Sequence, residues 1–426
     1  MEREGKTITY WTIVWGQFKK NRLAYVGLWL VLLLVLLAIY APVLCLDYPF
    51  WISYQGDDGA RVVEYPWFQR LLFDRNVFEN TVDIFFNLLL LLSPMVLVTG
   101  VGLRLLRRRG GWRKGFIFGW SAVVLVVLGY LVMFQTSQPY RDYVEIYESG
   151  TTGVDEELAA KRTAGTLTAE EEATLLAGRA EAIFPVVPMS FRKPYLSSVM
   201  SKASALHPMG TDNRGRDVFA RMLYGTRISL TIGILAVSLY ISIGIFIGAL
   251  AGYFRGWVDT LVLRLIEVMM CFPSFILILT LAAFVEQPSI FYVMLIIGFT
   301  RWTGPARLIR GEFLRLGGQD FVTAAVASGI PQHRVIFRYV LPNALGPVLV
   351  NATFGIAAAI LVEASLAFLG LSDPSAPSWG EILNIGRQTQ SMSLILIPGA
   401  ALFVTLSLFN LVGEGIRDAL DPKLRT

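Results

Sequence analysis

Very little in this sequence could perform covalent chemistry. It has two histidines, His207 and His333, and two cysteines, Cys45 and Cys271. All four lie far apart, without the spacing of a metal site or a disulfide framework. No GxxxxGK[ST] loop is present to cradle a nucleotide, and no HExxH, GxSxG or CxxC run occurs. The cysteines read as small buried hydrophobes. His333 reads as a surface residue, and His207, beside Pro208, as a group without evident partners. We therefore expect no catalytic residue, no cofactor and no metal, and no enzyme of the membrane-embedded transferase or protease kind.

What remains are charges and glycines set against apolar sequence. Glu363 sits within LVEASLAFLGL. A carboxylate is costly in hydrocarbon, so it must face protein or a water-filled cavity. It either lines a path for a solute or hydrogen-bonds a neighbouring helix, and both readings stay open. Glu267, Arg301 and Glu414 fall near the ends of apolar runs, where snorkelling or pairing accounts for them. The run MGTDNRGRDVFARMLYGTRISL, Met209 to Leu230, places Gly210, Thr211, Asp212, Arg214, Arg216 and Asp217 directly before an apolar stretch. Its glycines, with Gly215 and Gly225, allow tight turns. VFARMLYG is amphipathic and suits a membrane interface. The segment fits either a fence at the outer end of a pore or an interfacial anchor.

The third feature is TAAVASGIPQHRVIFRYVLPN, Thr323 to Asn343, a polar loop between long apolar runs. Gly329 is placed to end one helix, and Ile330-Pro331 to open another. Gln332 to Val340 is expected as a short helix stopped by Pro342. Two short helices at an angle make an elbow that another protein could grip and push.

The elements that position these residues are membrane helices. The 426 residues are 54% hydrophobic and 16% charged, with a mean hydropathy of +0.56. That balance excludes an ordinary soluble domain. The apolar runs are long enough to cross a bilayer as helices, and the short alternating strands of a barrel are missing. We expect eight spans, at 23–45, 82–103, 116–135, 228–252, 262–285, 289–306, 345–370 and 394–415. The first is read as a retained helix, since no small-residue cleavage site follows it. Lys19, Lys20 and Arg22 precede the first span. Arg104, Arg107, Arg108, Arg109, Arg113 and Lys114 lie between the second and third. Arg307, Arg310, Arg315, Arg334 and Arg338 lie between the sixth and seventh, and Arg417, Lys423 and Arg425 follow the eighth. With eight spans all four groups fall on one side, the cytoplasmic one, and the net charge of +5 sets orientation rather than nucleic-acid binding.

The expected organisation follows. Residues 1–22 are a cytoplasmic N-terminus, 23–45 the first helix and 46–81 an outer segment. Residues 82–135 are a transmembrane hairpin that preserves the sidedness of all that follows. Residues 136–227 lie outside, 228–415 form the core with a cytoplasmic loop at 307–344, and 416–426 are a cytoplasmic tail. In the outer segment Thr168 and Glu171 form a capping box before ATLLAGRAEAIF, so a short amphipathic helix is expected. Gly244, Gly248 and Gly252, at four-residue spacing in the fourth span, mark a close helix-packing face.

Four stretches in this order resemble one family: GTDNRGRDVFARMLYGTRISL, TAAVASGIPQHRVIFRYVLPN, VEASLAFLGLSDPSAPSWGEIL and NLVGEGIRDALDPKLR. The sequence is similar to the inner-membrane permease subunits of bacterial dipeptide and oligopeptide ABC importers, specifically their second or "C" permease. The likeness covers 191–426 and the first span. The central stretch looks like the family's coupling motif, Glu-Ala-Ala-x3-Gly-x9-Ile-x-Leu-Pro. Ala324, Ala325, Gly329, Leu341 and Pro342 match it, while Thr323 replaces Glu and Tyr339 replaces Ile.

The resemblance implies an all-α polytopic permease of the type I importer kind. Its coupling loop, with Thr323, His333, Arg334 and Arg338 beside the matched residues, would dock into a groove on a cytoplasmic ATPase subunit. It implies as partners a second homologous permease, two ATP-binding subunits and an extracytoplasmic solute-binding protein, and as substrate a peptide. Nickel or a modified peptide is the alternative cargo for the same machinery, and a secondary carrier the alternative of another class. The hairpin 82–135 and the segment 136–206 are additions to the six spans common in the family.

Overall fold

The structure, a computed structural model, describes residues 10–56, 58–72, 74, 77–106, 120, 129, 141–164 and 166–421. Apart from residues 120 and 129, the expected span at 116–135 lies outside the described residues. The chain divides into two units. One is Leu36–Arg227, and the other combines Met1–Val35 with Ile228–Thr426.

The first unit is the insert. It departs from the all-helical expectation through a small antiparallel sheet. β1 (Trp51–Gln55) is central, flanked by β2 (Arg61–Glu64) and β3 (Glu181–Ile183). The turn between β1 and β2 uses Gly59 at φ +74, where a residue with a side chain is strained. Ser53 pairs with Val63 on one side and with Glu181 on the other. The strands are too short and too irregular in pattern to be read from the sequence. Helix Ala169–Gly178 begins at the expected capping box, with Thr168 accepting from the Glu171 amide and Glu171 returning the bond.

The insert core is aromatic, built on Tyr48, Trp67, Phe78, Tyr143, Phe191 and Tyr224. Phe191 stacks on Tyr224 at 4.1 Å, and Tyr48 meets Tyr143 edge-on at 5.7 Å. Arg70 lies over both tyrosine rings and 3.7 Å from Asp74, and the Tyr48 hydroxyl donates to Asp74 at 2.6 Å. Phenolic side chains bring apolar area and a polar tip together, so a charged pair can be buried without loose ends. The apolar helix Thr81–Leu106 also belongs to this unit.

The second unit is the bundle. Helices Arg22–Ile39, Val218–Phe254, Gln332–Phe368 and Met392–Leu420 are each long and apolar enough to cross a membrane. Three of the expected elements are built differently. Val218–Phe254 is continuous over 37 residues, so the expected interfacial helix and fourth span are one element. No proline separates them, and Gly225 stays within the helix. The expected span 262–285 is a broken pair, Gly256–Met270 and Ser274–Ala283, bent by 75°. Pro273 breaks it by removing an amide and crowding the preceding turn. Gln332–Val340 does not stop at Pro342. After one turn it widens into a π-helix at Val335–Val340 and runs on as Leu341–Phe368. Pro342 then stands in a first turn, where its missing N–H costs nothing, and Asn343 Nδ2 donates to the Tyr339 carbonyl at 2.7 Å.

Two further elements were not expected. Trp379–Thr389 is a helix in the segment between the last two expected spans, 345–370 and 394–415. Tyr10–Phe18 is a helix inside the expected N-terminal tail, packed through Val14 and Phe18 on Val412 and Ala419 of the last helix. That last helix reaches Leu420, into the segment read as a tail.

Candidate functional site

The elbow is built from its sequence in three steps. Helix Thr303–Leu316 buries Ile309, Phe313 and Leu316. After Gly317-Gly318, helix Asp320–Ala327 buries Val322 and Ala325 on the same cluster, joined by Val335, Val340, Ala344 and Val348. Gly329, at φ +74, ends this helix. Its amide donates to Val326 and the Ile330 amide to Ala325, the two bonds of a Schellman motif. Pro331 opens the next turn. The inner face is thus fixed by apolar packing.

The outer face is open. Thr323, Ala324, Gly329, His333, Arg334, Arg338 and Pro342 are exposed. Ala325 is buried at 5% exposure and Leu341 is half-buried, so these two pack rather than present. Phe321, Val326 and Phe337 add exposed apolar surface among the charges. A side chain added at Gly329 would meet nothing within 4 Å.

A seam anchors the elbow-bearing helix. A Cβ at Gly244 would lie 2.6 Å from Pro305 Cβ, at Gly248 2.4 Å from the Ala306 carbonyl and at Gly252 2.8 Å from the Arg310 carbonyl. Three residues without side chains thus let two helix backbones touch. Arg310 adds a two-pronged bond to Asp259, with Nη2 donating to Oδ2 at 2.7 Å. This ties Gly256–Met270 to Thr303–Leu316. Sequence reading took Arg310 only as an orientation charge.

Beside the seam is a cavity of about 570 Å³, lined by four elements of the bundle. Tyr240 comes from Val218–Phe254, and Met270 to Ser274 from the broken helix. Thr300 to Arg307 follow along the next wall, and Asn351 to Ala358 come from Leu341–Phe368. Gly355 admits the Tyr240 hydroxyl, which would stand 1.8 Å from any Cβ there. Arg301 stands in the last turn of the apolar helix Ile290–Arg301, near a span end as expected, and after Trp302 the chain goes on as the more polar helix Thr303–Leu316. The break at Pro273 creates the recess, and sequence alone gave a span without it.

Glu363 is not among the cavity residues. It is 3% exposed, and its Oε1 accepts from Ser378 Oγ at 2.6 Å. Ser378 in turn accepts from the Gly380 amide and caps Trp379–Thr389. Gly380 brings that helix against Leu341–Phe368, where a Cβ would be 2.3 Å from the Ala364 carbonyl. Glu363 therefore holds the short helix in place. Nothing in the local pattern marked Ser378 as its partner.

In the insert unit, the glycine-rich segment is a folded knot. Thr211, Asp212, Arg216 and Asp217 are all buried within the unit. Asp212 accepts from the Arg214 and Arg216 amides at 2.8 and 2.9 Å and from Arg216 Nε at 2.7 Å. Asp217 accepts from the Ala220 amide at 2.7 Å, capping the long helix. His207, read as partnerless, lies with Nδ1 2.8 Å from Asp217. Burial raises the Asp217 pKa above the ordinary value, against the pull of the Ala220 amide and His207. Gly210 (φ +77) and Gly215 (φ +76) are required, since Cβ atoms there would lie 2.5 and 2.1 Å from the Ser201 and Tyr195 carbonyls.

Comparison with known proteins gives a consistent picture. The family profile described as "Binding-protein-dependent transport system inner membrane component" matches residues 244–426. A second, "N-terminal TM domain of oligopeptide transport permease C", matches residues 9–59. A dipeptide transport system permease of Alkalihalophilus pseudofirmus is 38% identical over 240 residues, 56% of this chain and 79% of that protein. An oligopeptide transport system permease of Haemophilus influenzae is 38% identical over 234 residues, 54% of this chain and 75% of that one. A glutathione transport system permease of Pectobacterium atrosepticum is 37% identical over 226 residues, covering 52% and 75%. Among solved structures, a methionine ABC transporter in an inward-facing conformation aligns at a TM-score of 0.40 and 18% identity, over 47% of this chain and 96% of that one.

Proposed function

The chain belongs to the family of binding-protein-dependent inner-membrane transport permeases, in its dipeptide and oligopeptide branch, and on that premise we propose how it works. It is a multi-pass permease subunit of a peptide ABC importer. It pairs with a second permease, and together they enclose the path. Two ATPases bind at the elbow face, and a solute-binding protein delivers peptide at the opposite face. The Lys- and Arg-rich loops put the elbow and both termini in the cytoplasm.

One observation carries the coupling role. The two helices that flank the elbow, Thr303–Leu316 and Leu341–Phe368, are also walls of the cavity, at Thr303 to Arg307 and Asn351 to Ala358. A push on the exposed residues Thr323 to Arg338 is passed through the buried cluster to both walls. ATP-driven closure of the ATPases thereby biases the bundle between two states. Ala325 and Leu341 transmit, while Thr323, Ala324, Gly329, His333, Arg334, Arg338 and Pro342 make contact. Exposed Phe337 and Phe321 suit a hydrophobic anchor in the partner's groove. The knot at Gly210 to Asp217 fixes the start of the long helix on the binding-protein side. Of the two readings of Glu363, its bond to Ser378 favours the positioning one.

The test is Gly329→Asp in the assembled transporter. Space around Gly329 is open within this chain, but its φ of +74 strains any side chain, so Gly329→Asn, which tolerates that conformation better and adds no charge, is the control that isolates the carboxylate's effect on what docks there. Uptake and stimulated ATPase activity should fall by about tenfold or more, since even a partly buried unpaired charge at the docked face costs more than the ~1.4 kcal/mol that tenfold represents. Unchanged uptake and ATPase activity in the variant would remove the coupling role.

A further inference from the structure

We propose that Arg301 is the specificity residue of the cavity and binds the C-terminal carboxylate of the peptide in transit. The inference rests on the peptide-permease reading and adds a subsite to it. Arg301 and Arg307 both line the cavity, and no Asp or Glu does so among the described residues. Neither arginine forms a hydrogen bond or ion pair with another described residue, whereas Arg310, one turn further on, is fully engaged by Asp259. Arg301 is half-buried at the end of the apolar helix Ile290–Arg301, whereas Arg307 is exposed. A half-buried guanidinium that has no ion-pair partner among the described residues is costly, and such residues in membrane proteins mark solute pathways. Its planar fork matches a carboxylate in two-pronged geometry.

The surroundings select a peptide end over a bare anion. Met269, Met270, Phe272 and Phe354 offer apolar surface for a terminal side chain, and Asn351 offers an amide to a peptide bond. At about 570 Å³ the recess holds a short peptide segment rather than a single ion. A lipid headgroup phosphate has the same charge chemistry as a carboxylate, so the experiment must separate the two.

The experiment uses the complete transporter in liposomes with ATP and saturating binding protein, so that the binding protein's own preference is common to all permease variants. Uptake of a radiolabelled tripeptide is compared with that of its C-terminal amide, for the wild type, Arg301→Gln and Arg301→Lys. Arg301→Gln should lower free-acid uptake about tenfold or more, the scale of a charge-assisted bond, and leave amide uptake within about twofold. Arg301→Lys should restore part of the free-acid preference, since it keeps the charge but not the two-pronged fork. Equal losses for acid and amide would overturn the proposal, because Arg301 would then pair with protein. A loss that appears only in liposomes containing phosphatidylglycerol, and not in phosphatidylcholine alone, would overturn it in favour of a lipid phosphate. No change in either substrate would also overturn it. If the wild-type transporter moves neither peptide, the peptide-permease reading itself fails.

Discussion

Arg227 is enclosed completely, and its charge is distributed over groups far away in sequence. Nε donates to the Ala38 carbonyl at 2.7 Å and Nη1 to Asp83 at 3.2 Å, while the guanidinium lies over the Phe86 and Tyr224 rings. It thereby satisfies the last carbonyls of a helix and half of a buried carboxylate within the insert unit. Breaking such a pair strands the other charge. Arg227→Ala should destabilise the protein by about 3–5 kcal/mol, read as a lowered midpoint in thermal unfolding in detergent, and Arg227→Ala with Asp83→Leu should recover part of the loss. A single variant as stable as the wild type would show that the pair contributes nothing. No sequence signal pointed to this residue, because its neighbours Gly225, Thr226 and Ile228 give no hint of an ion pair. Asp212 and Asp217 were singled out for their density of charge. The same charges are compatible with a mouth or a knot, and their burial follows from backbone geometry at Gly210 and Gly215.

At the scale of elements, the apolar runs announced most helices, and their breaks were the difficult part. Prolines illustrate why. Pro347 and Pro398 stand inside helices, Pro342 in a first turn, and Pro273 at a 75° break. The residue is the same in each, so its effect depends on what the surrounding packing can absorb. The glycine seam is more transparent, since spacing alone placed Gly244, Gly248 and Gly252 on one face. What they touch, the Trp302 to Phe313 segment, came from the fold. At Gly248 a methyl group has no room, with the Ala306 carbonyl at 2.4 Å. Gly248→Ala should cost about 1–3 kcal/mol through overpacking and shift Thr303–Leu316 away from the long helix. A lowered unfolding midpoint together with reduced uptake is the expected outcome, and an unaltered midpoint would mean that the seam is looser than drawn.

For the whole molecule, the decisive property is what the chain does alone. On the proposed coupling, directional transport needs a nucleotide-hydrolysing partner at the exposed outer face of the elbow. The purified chain in liposomes, with a peptide gradient but no other subunit, should move peptide no faster than protein-free liposomes. Flux above that background would show that this polypeptide opens a path for peptide without any nucleotide-hydrolysing partner.

The sequence by itself determined the class, the helix-forming stretches, the grouping of basic residues and the elbow with its ending at Gly329. Each follows from local composition or from a motif whose meaning needs only its own neighbours. The tertiary structure decided which charges meet, that the span at Pro273 is broken, that Ser378 holds Glu363, and that Arg301 borders a recess. Arg227 and Asp83 are 144 residues apart, and a pairing at that range leaves no trace in either neighbourhood. It is fixed only when packing brings two helices together and leaves a buried charge no cheaper partner.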